Sequence, residues 1–169
     1  MIKIKLLIVF TMITMFSCTQ KKNDKREKFV IKIEHTGKGN ATKCSNVKDK
    51  NSYSLKISLK NNMDSIVTFW MMNCSWDDNW VIDNSNLKFC FGVCDRNFPV
   101  KMTLKPKTSM VFYGVIQPID TTIKVEKFKL GFVILEKNEF SNYYMRKDTG
   151  FMKNKKTYWS NYICTGKGL

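Results

Sequence analysis

The sequence contains a single histidine, His35, in a chain of 169 residues. That scarcity leaves little room for a Ser–His or Cys–His nucleophile. The chain also lacks a Gly-x-Ser-x-Gly elbow, a P-loop and a glycine-rich dinucleotide fingerprint. We therefore expect a protein that is not an enzyme of these common classes, and we predict no catalytic residue.

Acidic residues are scarce as well, with 14 Asp and Glu against 29 Lys and Arg, which gives a net charge of +15. A basic balance of this size raises nucleic acid as a partner. The basic residues are nearly all lysines, however, and they are spread along the chain without an arginine-rich stripe. We predict a solvated lysine surface and no nucleic-acid partner. Attraction to anionic lipid head groups or acidic glycans stays open.

The first 18 residues read MIKIKLLIVFTMITMFSC. Lys3 and Lys5 precede an apolar stretch, residues 6–16, which is long enough for a secretory signal and too short for a membrane span. The sequence around Ser17 and Cys18 resembles the lipobox of Bacteroidota-type bacterial lipoproteins. This resemblance implies cleavage before Cys18 and a covalent lipid on that residue, and we expect no other cofactor. An ordinary signal peptide cleaved nearby, with Cys18 incidental, is the alternative.

This reading divides the chain into three parts. Residues 1–17 form the signal peptide, and residues 18–28 comprise the lipidated cysteine and a charged tether. Residues 29–169 form one domain. At roughly 150 residues, the remaining chain is long enough to bury a proper core without metals or disulfides.

The domain sequence predicts strands throughout and no convincing helix. Residues 53–60 alternate strictly, with Tyr53, Leu55, Ile57 and Leu59 on one face, while residues 66–72 form an apolar run typical of a strand buried on both faces. Turn signals recur every 8–12 residues or so, which is typical of an all-β sandwich or barrel. The other predicted strands are residues 29–35, 80–82, 87–91, 99–104, 109–117, 124–135 and 157–164, and residues 136–156 are predicted as a loop.

A second resemblance covers residues 53–116. The order SLKISLKNNMDSIVTF, a Trp-rich segment and MTLKPKTSMVFYGV resembles small bacterial immunoglobulin-like modules. The resemblance implies an immunoglobulin-like antiparallel β-sandwich of about 7–9 strands. It implies a fold and no activity, since such modules serve as inhibitors, adhesion spacers and assembly parts.

Five cysteines remain beyond Cys18, and all five are candidates for disulfides in an exported chain. An odd number means that at least one is a thiol or pairs outside the molecule. We expect one or two disulfides, with the pairing left open, and buried, unreactive thiols as the alternative. A zinc site is not predicted, because only one close Cys-x₃-Cys pair and one histidine are present. The candidates are Cys44, Cys74, Cys90, Cys94 and Cys164.

The strongest local feature is a Trp-rich segment, residues 69–80. We predict a binding site at Trp76, Asp77, Asp78 and Trp80, because exposed Trp beside polar side chains can stack on sugars or anchor a partner protein. Packing of Trp76 and Trp80 beneath a loop is the competing interpretation, and Trp70 is expected in the core. Adjacent aspartates are a poor catalytic pair, since neighbouring strand residues face opposite ways.

These observations favour a membrane-anchored, non-enzymatic lipoprotein of the cell envelope, on its periplasmic or surface face. In this hypothesis the domain is a protein-interaction module for an unknown envelope protein. A glycan-binding module that uses Trp residues and lysines is the alternative. An enzyme would require a cleft that brings Asp77 or Asp78 against Glu136 or Glu139.

Overall fold

The computed structural model describes residues 27–38, 52–90, 96–143, 152 and 154–165, so the predicted signal peptide and most of the tether lie outside the described residues. The described chain is an all-β protein with antiparallel sheets. One short helix, α1, spans Lys137–Tyr143. The strands are β1 Phe29–Lys38, β2 Tyr53–Asn61, β3 Val67–Met72, β4 Trp80–Ile82, β5 Leu87–Cys90, β6 Pro99–Leu104, β7 Ser109–Pro118, β8 Lys127–Phe128, β9 Leu130–Val133, β10 Thr157–Trp159 and β11 Ile163–Cys164.

A four-stranded sheet with the order β1-β2-β7-β5 forms one side of the core. The alternation in β2 places Leu55, Ile57 and Leu59 inward, each at most 1% exposed. Burial of such a side chain contributes about 1.5–3 kcal/mol relative to leaving it in water. In β7, Phe112 is buried while Tyr113 is 71% exposed, so this sheet has one buried face and one solvated face.

Strands from the other sheets cover the buried face. The order β10-β9-β4 forms a three-stranded sheet, β3 pairs with β6, and β8 pairs with β11. Phe29 of β1 meets Phe69 of β3 and Phe132 of β9 edge-to-face, with ring centroids 5.9 and 5.3 Å apart. Phe69 and Phe132 also contact each other at 5.2 Å. Aromatic edge-to-face packing across the interior therefore joins the sheets.

A buried asparagine fixes one end of the domain. Asn61, which is fully buried, donates from Nδ2 to the carbonyl oxygens of Ser65, Leu104 and Lys105 at 2.8, 3.0 and 3.1 Å. Its Oδ1 accepts from the backbone N–H of Met63 at 2.9 Å. One side chain thus binds the backbone of two turns, one after β2 and one after β6.

Two neighbouring segments of the chain, which pair with each other, are each divided into two strands. Strands β8 and β9 are separated at Lys129, and their partners β11 and β10 are separated at residues 160–162. Asp83 explains the first break, because its Oδ1 accepts from the backbone N–H of Lys129 at 2.7 Å. Ser160 occupies the second, since its N–H donates to the carbonyl of Leu130 at 2.8 Å. The continuous strands predicted for residues 124–135 and 157–164 are therefore wrong at these points.

Two further expectations need correction. The predicted loop at residues 136–156 contains α1. Glu139 stabilises the first turn of this helix, because its Oε2 accepts from the backbone N–H of Glu136 at 2.8 Å. The apolar run at 66–72 enters the sheet only at Val67, and Ile66 is 60% exposed. Ile66 is exposed because it lies beside a turn, before the pairing of β3 with β6 begins. The hydrophobic pattern of the sequence does not show where that pairing begins.

Candidate functional site

The predicted binding segment is a turn of 3₁₀ helix, Trp76–Asn79, that connects β3 to β4. Asn97 holds its entrance, with Nδ2 donating to the Ser75 hydroxyl at 2.8 Å. Asn79 holds its exit, since this fully buried side chain donates from Nδ2 to the carbonyls of Trp70 and Val133 at 3.0 and 3.1 Å. The turn is therefore fixed by side chains at both ends.

The two tryptophans of this turn point into the interior. Trp80 is 5% exposed, and its ring lies 5.1 Å from Phe132 and 5.8 Å from Phe112. Trp76 is partly buried and packs on Phe112 at 5.0 Å and on Trp80 at 6.4 Å. The prediction of Trp80 as an exposed stacking platform is wrong, because its ring is buried against Phe112 and Phe132. Trp76 likewise contributes mainly to packing beneath the turn.

Asp77 and Asp78 lie on the same turn, and burial changes their ionisation. Loss of hydration raises the pKa of Asp77 to about 7, and the neighbouring charge of Asp78 adds to that rise. Burial also raises the pKa of Asp78 to about 6. Three buried atoms nearby in sequence, Asp77 Oδ1, Asn79 Oδ1 and Trp80 Nε1, have no hydrogen-bond partner. Unsatisfied groups of this kind are costly, so the turn is a locally unfavourable place for charge.

Glu139, one of the two glutamates that an enzyme cleft with these aspartates would require, makes its side-chain contacts elsewhere. Glu139 caps the start of α1 through Oε2, and its Oε1 accepts from Lys155. Its carboxylate is thus held by the first turn of α1 and by a lysine. Whether Asp77 and Asp78 bind a ligand stays a prediction.

Two partly exposed aromatic side chains lie together on a different surface. Trp159 is 38% exposed and Tyr162 is 37% exposed, where the chain runs from β10 towards β11. The ammonium group of Lys129 lies 4.7 Å from the Trp159 ring centroid and 5.1 Å from that of Tyr162, and Lys127 lies 5.1 Å from Tyr162. We name these four residues the aromatic–lysine patch.

The fold positions Trp159 over a glycine. Trp159 is paired with Gly131 across β10 and β9. A Cβ atom at Gly131 would lie 2.3 Å from Cγ2 of Thr157 and 2.9 Å from the Trp159 ring. The absence of a side chain at position 131 therefore lets the indole lie flat on β9, within reach of Lys129.

The lysines of the patch are not neutralised by acids of the described chain. No described carboxylate forms an ion pair with Lys127 or Lys129. Asp83 is close to the backbone of Lys129, but its Oδ1 accepts from the N–H there. The patch thus combines two aromatic side chains with two lysines that form no ion pair with a carboxylate of the described residues.

The segment that supplies Trp159 and Tyr162 does not follow strict alternation. In TYWSNYIC, residues 157–164, Tyr158 and Ile163 are buried while Trp159 and Tyr162 face solvent. Alternation holds within β10, where Tyr158 is buried and Trp159 is exposed, but the break at residues 160–162 changes the facing, so strict alternation over residues 157–164 does not predict that Tyr162 is exposed and Ile163 is buried. In the Trp-rich segment, by contrast, Trp80 belongs to the core and Trp76 packs against it.

The cysteines occupy different environments. Cys74, next to the turn, is disulfide-bonded. Cys90 and Cys164 are thiols, and the buried Sγ of Cys90 lies 3.1 Å from Oε1 of Gln117 as a donor. Cys18, Cys44 and Cys94 lie outside the described residues.

Within the part of the chain that the structure describes, no group of three or more His, Cys, Asp or Glu side chains could hold a metal ion. Over the same residues, no helix combines the length and the apolar character needed to cross a bilayer. Comparisons of the chain with known family models, curated proteins and solved structures gave no match.

Proposed function

We propose that this protein is a membrane-anchored, non-enzymatic lipoprotein of the cell envelope, and that its aromatic–lysine patch binds an acidic surface on a partner protein. The single observation that carries the binding proposal is the contact of Lys129 with both exposed rings of the patch. The envelope assignment is supported by the resemblance of residues 1–18 to a lipoprotein signal peptide followed by a lipobox cysteine, Cys18. The disulfide at Cys74 also supports it, because disulfides persist in oxidising compartments.

We further propose an immunoglobulin-like β-sandwich for the domain. The four-stranded sheet, its single buried face and the aromatic contacts of Phe29, Phe69 and Phe132 across the interior support two packed layers. An isolated antiparallel bridge between Trp70 and Leu135 links β3 to the segment after β9, which supports a common second layer. The architecture would leave the patch on the outside of that layer.

A protein partner suits the patch for a physical reason. Tryptophan and tyrosine dominate binding energy at interfaces, because they bury large areas while few rotatable bonds are fixed. The glycine beneath Trp159 and the lysine above it already hold the indole in place. Much of the ordering cost of binding is therefore met in the unbound protein. The lysines select an acidic partner by charge complementarity.

The test is affinity purification of a tagged full-length chain from solubilised native membranes. A Cys18→Ala chain controls for the anchor. We expect one acidic protein in near-equal amount with the parent chain. Trp159→Ala and Lys129→Glu should weaken its binding more than tenfold, since truncation of an interface anchor costs about 2 kcal/mol or more. Tyr113→Ala is the matched control, because Tyr113 is the most exposed aromatic on the four-stranded sheet.

Two outcomes would contradict the proposal. Equal recovery of the partner by the Trp159→Ala and Tyr113→Ala chains would remove the patch from the interface. Loss of binding by Trp159→Ala but not by Lys129→Glu, with both chains folded by near-ultraviolet circular dichroism, would exclude charge complementarity as the reason for partner choice.

An acidic glycan is the second candidate. The observation that favours it is the position of Lys129 between two exposed rings, where a sugar acid would meet an aromatic face and an ammonium group together. Salt separates the candidates, since binding through lysines to a polyanionic glycan weakens steeply as ionic strength rises to physiological values, whereas docking centred on Trp159 weakens less. Titration with an acidic polysaccharide at two salt concentrations provides the measurement.

A further inference from the structure

The turn formed by residues 62–66 is attached to the segment through which the chain enters the domain. The backbone N–H of Asn62 donates to the carbonyl of Lys28 at 3.0 Å, and its Nδ2 donates to the carbonyl of Glu27 at 3.1 Å. The chain between Cys18 and Glu27 can span at most about 30 Å when fully extended. A lipid on Cys18 would therefore keep this turn within about 30 Å of the bilayer.

This turn presents apolar side chains to solvent. Met63 is 39% exposed and Ile66 is 60% exposed. The exposure does not arise from fraying, because buried Asn61 binds the backbone of Met63 and Ser65 from inside the turn. The fold thus holds two apolar side chains outward on a fixed support.

Two lysines line a depression together with Met63 and Ile66. Lys28, Met63, Ile66, Lys156 and Tyr158 line an open depression of about 520 Å³. The ammonium group of Lys156 lies 5.0 Å from the Tyr158 ring.

The acid of the turn does not neutralise these lysines. Asp64 is paired with Lys107, at 2.9 Å, and Lys28 and Lys156 form no ion pair with a described carboxylate. Exposed aliphatic side chains beside unneutralised lysines are the combination that binds the interface of an anionic bilayer.

We propose that residues 62–66, together with Lys28 and Lys156, rest on an anionic lipid surface. Met63 and Ile66 enter the head-group region and the two lysines contact lipid phosphates. The inference rests on the proposed lipid anchor at Cys18, which supplies proximity, and it adds that one defined end of the domain faces the membrane. Because the hydrogen bonds of Asn62 join this end to Glu27 and Lys28, the anchor and the contact surface act from the same side.

The experiment measures quenching of an introduced tryptophan by brominated phosphatidylcholine. The full-length lipidated protein is reconstituted in vesicles with and without phosphatidylglycerol, and Ile66→Trp is compared with the parent chain. Ile119→Trp is the matched control, since Ile119 is 61% exposed and follows the far end of β7. Strand β7 begins opposite Lys60, next to the turn, and has ten residues. Because a strand of this length spans about 33 Å, Ile119 lies far from the turn that carries Ile66.

We expect strong quenching of the tryptophan at position 66 and little at 119, with the effect at 66 larger in the presence of phosphatidylglycerol. The double variant Lys28→Glu, Lys156→Glu should abolish that dependence on anionic lipid. Equal quenching at 66 and 119 in a protein that carries lipid by mass spectrometry and floats with the vesicles overturns the docking surface and leaves the anchor intact. A chain without lipid on Cys18 overturns the anchor and the docking surface together.

Discussion

Ionisation of Asp77 should make the fold less stable at alkaline than at mildly acidic pH. Burial raises its pKa from 3.8 to about 7, so the folded protein keeps a proton that the unfolded chain releases. Stability is then greatest below about pH 4 and is lost as pH rises through about 7. Asp78, with a pKa of about 6, contributes in the same direction.

The size of this loss of stability follows from the difference between the pKa of Asp77 in the folded protein and its ordinary value. About three pH units correspond to about 4 kcal/mol at 1.36 kcal/mol per unit. Asp77 is only partly buried, and contact with water screens its charge. We therefore expect a loss of about 2 kcal/mol in the free energy of unfolding between about pH 4 and about pH 8.

The perturbation is Asp77→Asn, which keeps the shape of the side chain and removes its charge. The variant should be more stable than the parent by about 2 kcal/mol at about pH 8 and equally stable at about pH 4. Urea unfolding followed by tryptophan fluorescence at both pH values measures this difference. Asp64→Asn is the matched control, since that carboxylate is 78% exposed. An Asp77→Asn chain with the same pH slope as the parent would refute burial as the cause.

Three further substitutions test the packing. Gly131→Ala should destabilise the domain by about 1–3 kcal/mol in urea unfolding, because the new Cβ would overlap Thr157 and the Trp159 ring; a neutral result would contradict the close approach. Asn61→Ala should cost about 2 kcal/mol or more and increase hydrogen exchange in the two turns that it holds, whereas unchanged exchange would exclude that role. Phe132→Ala should cost about 3–5 kcal/mol in thermal or urea unfolding, since this fully buried ring contacts aromatic side chains of β1, β3 and β4; a loss below 1 kcal/mol would contradict its central position.

Local alternation was sufficient to predict most strands. The pattern of Leu55, Ile57 and Leu59 predicts β2 and its buried face, and the all-β class follows from the repeated turn signals. These predictions succeed because a strand that is buried on one face has an apolar residue at every second position. In β7 the residues on both faces are apolar or aromatic, so the sequence predicts the strand but not that Tyr113 faces solvent while Phe112 is buried.

The candidate sites were harder to predict because they depend on contacts between distant segments. Nothing near Trp80 in sequence indicates that Phe112 and Phe132 will enclose its ring. Lys129 lies thirty positions from Trp159, and their contact requires the pairing of β9 with β10. Helix α1 was missed because its seven residues are polar on the whole and too few to show a period.

The position of β1 at the edge of its sheet has a mechanical consequence. Its pairing with β2 runs from Phe29↔Asn61 to Lys38↔Tyr53, and Asn161 adds a hydrogen bond of 3.0 Å to the N–H of Ile33 on the outer edge. Since hydrogen bonds between antiparallel strands lie perpendicular to the strands, tension applied at Phe29 along β1 would load the whole ladder at once instead of opening it bond by bond. Such a ladder resists pulling through shear, so force applied at the amino-terminal end of β1 would meet the combined resistance of the β1–β2 hydrogen bonds.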